Sequence, residues 1–220
     1  MVFNEGRWEH YLSRYAALMS TTGLRGPYAK TARRRDEIIS TALQVFSEQG
    51  FQGGSMRDIA ARVGLSQAGL LHHFKSKEEL LLAVLQLRDE IDWAPYKAQA
   101  HGLKYLSLMR KVVEHNATVP SLVQLYARLS AEASDPAHPA HSYFKARFES
   151  TRQEAIDAIR ESMSAGELRA DTNPQAVAEL FVAVLDGLQL QWLYQPAVNM
   201  PQIVDLAIES IVVSHREPGN

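Results

Sequence analysis

The chain of 220 residues has no cysteine. That excludes a disulfide scaffold and all thiolate chemistry, and it fits a reducing compartment. No run of about 18 apolar residues occurs, so no membrane-spanning helix is expected. The opening segment, MVFNEGRWEHYLSRYAALM, lacks the basic-then-apolar order of a secretory signal, so a cytoplasmic protein is the default expectation. Nowhere do apolar and polar residues alternate as in a half-buried strand, and no repeat or low-complexity run is present. A glycine-rich phosphate loop, a nucleophile elbow and an HExxH pair are all missing. His138 and His141 are three apart and His72 and His73 adjacent, but neither pair has a third ligand at a telling spacing. No catalytic residue, metal or cofactor is expected from these patterns.

What is present is ordinary globular composition, 46% hydrophobic and 22% charged, in a chain long enough to bury a real core. The net charge of −2 conceals an asymmetry. Residues 25–88 carry ten basic side chains against six acidic, whereas residues 89–220 carry eleven basic against seventeen acidic. A basic segment joined to an acidic body suggests that one part meets a polyanion and the other does not.

Helical periodicity accounts for nearly the whole chain. Trp8, Tyr11, Leu12, Tyr15, Leu18 and Met19 suit a short amphipathic helix over 8–19, followed by a Gly/Pro-bearing linker. Met19 offers a second candidate start. From Thr31 a helix with Ile38, Ile39, Ala42, Leu43 and Phe46 on one face runs to about Gln49 and ends at Gly50. Two short helices follow over 55–63 and 66–73. A longer one begins at Lys77 and continues to about Trp93, where Pro95 limits or kinks it. Further helices are expected over 102–116, 120–133, 138–165, 174–194 and 200–214, with Asn173–Pro174 a strong helix start. The expected architecture is all-α: an N-terminal extension over 1–24, a small unit over 25–76, and a larger helical body over 77–220.

The stretch SMRDIAARVGLSQAGLLHHF carries the functional signal. Ser55 with Asp58 reads as a capping-box variant. Ile59, Ala60 and Val63 give the first helix a buried face, and Gly64 suits the left-handed position that ends it. Leu65 reads as a core plug. Ser66 caps the second helix, which Leu70 and Phe74 anchor from below. Its other face is Gln67, Ala68, Gly69, Leu71, His72 and His73, all small or hydrogen-bonding apart from Leu71. Two short helices at a tight turn are useful when one braces and the other enters a major groove. Gln pairs with adenine edges, and small residues permit close approach to bases. Gly69 costs about 1 kcal/mol relative to Ala inside a helix, a cost that close approach to DNA would justify.

Residues 31–80 resemble the DNA-binding domain of the TetR family of bacterial transcriptional regulators. The resemblance rests on ALQVFSEQGFQGGSMRDIAARVGLS and on GLLHHFKSKEELL, with LHHFKSKEELL its most specific part. Beyond residue 90 only helix number, length and order agree, together with FVAVLDGLQLQWL. The resemblance implies that Gln67, Ala68, Gly69 and His72 face bases, and that Arg57, His73 and Lys77 hold phosphates. It also places Arg33, Arg34 and Arg35, with Lys30, near the DNA backbone or minor groove. Leu71 stands where the family often has a backbone-contacting Tyr; it cannot donate a hydrogen bond, though it could meet a thymine methyl. The implied function is a repressor that binds a palindromic double-stranded operator as a homodimer and is released by a small-molecule effector. An activator of the same fold, or a helical interaction protein without DNA binding, are the alternatives.

In the body, Val177, Leu180, Phe181, Val184, Leu185 and Leu188 form a wide apolar stripe, and Ile203, Leu206, Ala207 and Ile211 form another. Two copies of this pair would make a four-helix bundle across a two-fold, the expected dimer interface. Trp93, Tyr96, Tyr105, Met109, Tyr126, His141, Phe144, Phe148 and Trp192 could line an effector cavity, although aromatic residues at helical spacing are commonly core. Asp186 and Gln189, polar on an apolar helix, are candidate ligand anchors or interface hydrogen-bonding groups.

Overall fold

The computed structural model describes residues 27–215, with side chains from Thr31 onward. The helix expected over 8–19, its linker and the side chain of Lys30 lie outside the described residues. The described residues form nine α-helices and no strand. By internal contacts the chain divides into two compact units, with the boundary between Ala94 and Pro95.

The first unit holds α1 (Pro27–Gly53), α2 (Met56–Arg62), α3 (Gln67–His73) and most of α4 (Lys77–Lys97). The apolar face of α1 is buried as its spacing predicts, with Ile38, Ala42 and Phe46 fully enclosed. The helical path is broken at Gly50 (φ 73°, ψ 169°), where the sequence ends it, and a short turn continues to Gly53. Gly54 then passes so close to Phe46 that a Cβ there would lie 2.7 Å from the ring.

Helix α2 opens on Ser55, whose Oγ accepts from the Asp58 amide at 3.0 Å, and it packs through Met56, Ile59 and Ala60. Gly64 (φ 65°) turns the chain in the left-handed region. Helix α3 opens on Ser66, which accepts from the Gly69 amide at 3.0 Å, and is held by the fully buried Leu70 and Phe74. Leu65, expected as a core plug, is only half-buried. Helix α4 is capped by Ser76 through the Glu79 amide.

One expectation about α4, its end near Trp93, needs correction. The helix runs through Pro95 to Lys97. A proline this near a helix end removes one ladder bond in the final turns and leaves the earlier turns intact. Contacts also group Lys77–Ala94 with the first unit, later than the expected boundary at residue 76.

The second unit contains α5 (Leu103–Asn116), α6 (Pro120–Glu132), α7 (His141–Ser164), α8 (Pro174–Tyr194) and α9 (Met200–His215). Helix α8 packs against α6, α7 and α9, and α5 packs against α7 and α9. The start of α8 is the expected one, with the Asn173 side chain accepting from the Ala176 amide and Pro174 in the first turn. Arg110 Nε on α5 donates to Asp205 on α9 at 2.9 Å, a contact that raises the guanidinium pKa. Among the described helices α8 alone is long and apolar enough, by length and composition, to cross a membrane. Its apolar character is nevertheless broken by Glu179, Asp186 and three glutamines, and part of its surface is buried in the unit's core.

Candidate nucleic-acid interface

Four side chains of α3 are exposed on one side: Gln67, Ala68, Leu71 and His72. Leu70 and Phe74 are buried on the other. Gly69 is half-buried, and a Cβ built there would lie 3.3 Å from Ser66 Oγ. Its missing side chain thus also relieves the helix cap, a local reason for glycine that the sequence does not disclose. His73 is half-buried, with its ring edge-on to His72 at 6.0 Å. Leu71 is the large apolar residue left exposed here, at 39%.

The cations around α3 separate into two sets. Arg33, Arg57 and Lys75 are exposed. Arg34, Arg35 and Lys77, also expected to hold phosphates, each have partners within the unit. Arg34 Nη2 donates to the carbonyl of Val63, the residue that ends α2, and Nη1 pairs with Glu37. Arg35 Nη1 donates to the carbonyl of His73 at 2.9 Å, and its guanidinium lies 4.0 Å from the Phe74 ring centre. Lys77 Nζ donates to the carbonyl of Gln52 at 3.3 Å and lies 4.6 Å from the Phe51 ring centre. Burial lowers the Lys77 pKa from its ordinary value, partly offset by the Glu78 carboxylate. Arg62 pairs with Glu48 and Asp58; the hydrogen bond it donates to the Glu48 carboxylate is the main cause of its raised pKa.

In the second unit the expected dimer residues also divide. Leu180 (58% exposed), Ile203 and Leu206 (60%) are exposed, and Val184 is half-buried. Val177, Phe181, Leu185, Leu188 and Ile211, also expected at the interface, are buried within the unit itself. The stripe on α8 is wide enough to serve two faces, and Val177, Phe181, Leu185 and Leu188 occupy the inner one. Three exposed apolar residues were missed: Leu190, Tyr194 and Val213. They extend the outer face of α8 and α9 at the same helical spacing.

The candidate effector residues belong to both units. Trp93 belongs to the first unit and the other six to the second. Tyr126 is buried, and its hydroxyl accepts from Arg147 Nε at 2.8 Å. Phe148 lies against Phe144, which is edge-on to Tyr126 at 5.1 Å. His141 Nδ1 meets the Ala133 carbonyl at 2.8 Å, so that nitrogen carries the proton and helps close the end of α6. Gln189 accepts from Asn116 Nδ2 at 3.1 Å and donates to the Leu185 carbonyl. Asp186 is half-buried and Trp192 is 8% exposed. Tyr105, also in the aromatic set, is buried with its hydroxyl donating to the Thr151 carbonyl at 3.3 Å. Burial, followed by the charge of Glu154, raises its pKa, while Arg147 opposes the shift. Arg147 and Asn116 are the polar residues here that apolar periodicity could not single out.

A short capped helix, braced by a second at a glycine turn and presenting Gln67, Ala68, Leu71 and His72, defines the first unit as a helix-turn-helix DNA-binding unit. A family model for bacterial regulatory proteins of the tetR family matches residues 38–84, and one for the C-terminal part of BetI-type transcriptional repressors matches residues 118–213. The chain belongs to the TetR family and is a regulator of transcription. The HTH-type transcriptional repressor KstR2 of Mycolicibacterium smegmatis is 28% identical over 76% of this chain and 82% of its own length. The structure of the ketosteroid transcriptional regulator KstR2 of Mycobacterium tuberculosis superposes with a TM-score of 0.60, at 22% identity over 84% of this chain and 96% of that one. The SmeT–triclosan complex, SmeT being a repressor from Stenotrophomonas maltophilia, gives 0.67 at 20% identity over 85% and 93%.

Proposed function

We propose that this chain is a repressor that binds a palindromic operator as a homodimer and releases it when a small-molecule effector binds residues 95–220. The observation that carries the reading is the face of α3 made by Gln67, Ala68, Leu71 and His72, exposed on a helix fixed from its buried side by Leu70 and Phe74. Gln67 would read a base edge, Ala68 and Leu71 would meet thymine methyls, and Gly69 and His72 complete the base-facing set. Arg33 and Arg57 would hold phosphates, with His73 at the margin. One such helix reads few base pairs; two, about 34–36 Å apart across a two-fold, read a palindrome. The exposed apolar residues of α8 and α9 support self-association, since contiguous exposed apolar surface commonly marks an interface.

The effector reading is supported by the Tyr126–Arg147–Phe144 group, by the Asn116–Gln189 hydrogen bond, and by the family's BetI-type C-terminal match. Release requires that the effector bind more tightly to the form of the dimer that cannot engage DNA.

The test is titration of labelled duplexes, genomic fragments including the region upstream of the chain's own gene, at low and moderate salt. The expected result is tight binding to one palindromic fragment, with Gln67→Ala relaxing sequence preference and Arg57→Ala weakening all fragments alike. Absence of salt-dependent binding by a folded dimer would overturn the reading. A transcription assay on that fragment gives the sign, and an increase in transcript on adding the protein would make it an activator.

A further inference from the structure

We infer that Arg34 and Arg35 set the sequence selectivity of this protein without touching DNA, by fixing the recognition helix from behind. The inference rests on the DNA-reading role proposed for α3.

Consecutive residues of a helix point about 100° apart. Arg34 and Arg35 therefore leave α1 in different directions, and each reaches a different helix end. Arg34 donates to the Val63 carbonyl at the close of α2. Arg35 donates to the His73 carbonyl at the close of α3. Terminal carbonyls lack intrahelical partners and carry the negative end of the helix dipole, so a guanidinium suits both places. The Arg35 side chain also covers Phe74, the residue that anchors α3. Both arms of the helix-turn-helix are thus tied to the same turn of α1.

Helix α3 needs this support. With seven residues it has few ladder bonds of its own, and isolated helices of this length are unstable. Its amino end is fixed by Ser66 and its buried side by Leu70. Arg35 supplies the charged constraint at the carboxyl end, next to His72 and His73. Base reading requires α3 in one orientation, whereas phosphate attraction tolerates several. Loosening α3 should lower selective affinity in proportion to the fraction of molecules that keep the reading-competent orientation.

The experiment uses the full chain and two probes: a duplex that the wild-type protein enriches from a random-sequence pool, and an unselected duplex of equal length. For Arg35→Gln we expect affinity for the enriched duplex to fall roughly tenfold, the scale of one lost charge-assisted hydrogen bond. Affinity for the unselected duplex, and the slope of log K against log salt, should stay as in the wild type. Arg35→Lys, which keeps one donor and the cation over Phe74, should recover part of the loss. Arg34→Gln should behave as Arg35→Gln does. Without DNA, amide hydrogen exchange over residues 67–73 should quicken in Arg35→Gln while that of α1 does not. This readout separates a local loosening from general destabilisation, and Arg35→Lys serves if Arg35→Gln does not fold.

A salt slope lowered by about 0.9, with both duplexes weakened equally, would identify Arg35 as a phosphate ligand and overturn the inference. So would unchanged selectivity together with unchanged exchange in α3. If the wild-type protein enriches no duplex and shows no salt-dependent binding, the DNA-reading role itself fails, and the inference falls with it.

Discussion

The α2–α3 pair and the α8–α9 pair treat their outward faces in opposite ways. The first pair is short, capped by Ser55 and Ser66, and leaves mainly small and hydrogen-bonding groups outside, Leu71 excepted, while neighbouring arginines hold its carbonyl ends. The second is long and leaves Leu180, Leu190, Tyr194, Ile203, Leu206 and Val213 in the open. A face that reads a polar groove must be positioned by contacts elsewhere. A face that joins another protein gains its stabilisation from the apolar surface it later buries.

The sharpest way to break this contrast is on α8, where adjacent residues have opposite environments. Phe181 is 1% exposed, and Phe181→Ala should destabilise the fold by about 3–5 kcal/mol in chemical unfolding. Leu180→Glu combined with Leu206→Glu should leave the protomer folded but shift it from dimer to monomer in sedimentation, with loss of tight operator binding. A Gly54→Ala change, which forces a Cβ against Phe46, should cost about 1–3 kcal/mol by the same unfolding measurement. Ser66→Ala should cost about 1 kcal/mol through loss of the α3 cap and should weaken operator binding. Gly69→Ala should have the smallest effect on stability. The gain in helix propensity, about 1 kcal/mol, is opposed by crowding of the capping Ser66 oxygen, so the unfolding midpoint should barely move. Reduced operator affinity in that same variant would show that DNA comes close to position 69.

Much of this was legible in the sequence, for definite reasons. The short helices carry their own boundary signals: Ser55 and Ser66 as caps, Gly64 at the turn, and Asn173–Pro174 at the start of α8. The apolar face of α1 follows from spacing alone. The direction of side chains within a run was not legible. Arg33, Arg34 and Arg35 read as one basic cluster, yet only Arg33 is exposed while the other two turn inward to carbonyls. The apolar run on α8 has the same ambiguity, because a stripe that wide fits either a core or an interface. Periodicity assigns residues to faces, and only tertiary packing decides which face is inside. The end of α4 was expected near Trp93 and falls at Lys97, because a proline costs less near a helix end.

The exposed face of α3 has a consequence for how such a protein changes over generations. Gln67, Ala68, Leu71 and His72 project from a helix whose packing rests on Leu70 and Phe74. If these four side chains read bases as proposed, substitutions there would alter which DNA sequence is addressed while leaving the scaffold intact. A lineage can move such a regulator to a new promoter by small steps, and a library randomised at those positions gives a protein engineer the same freedom.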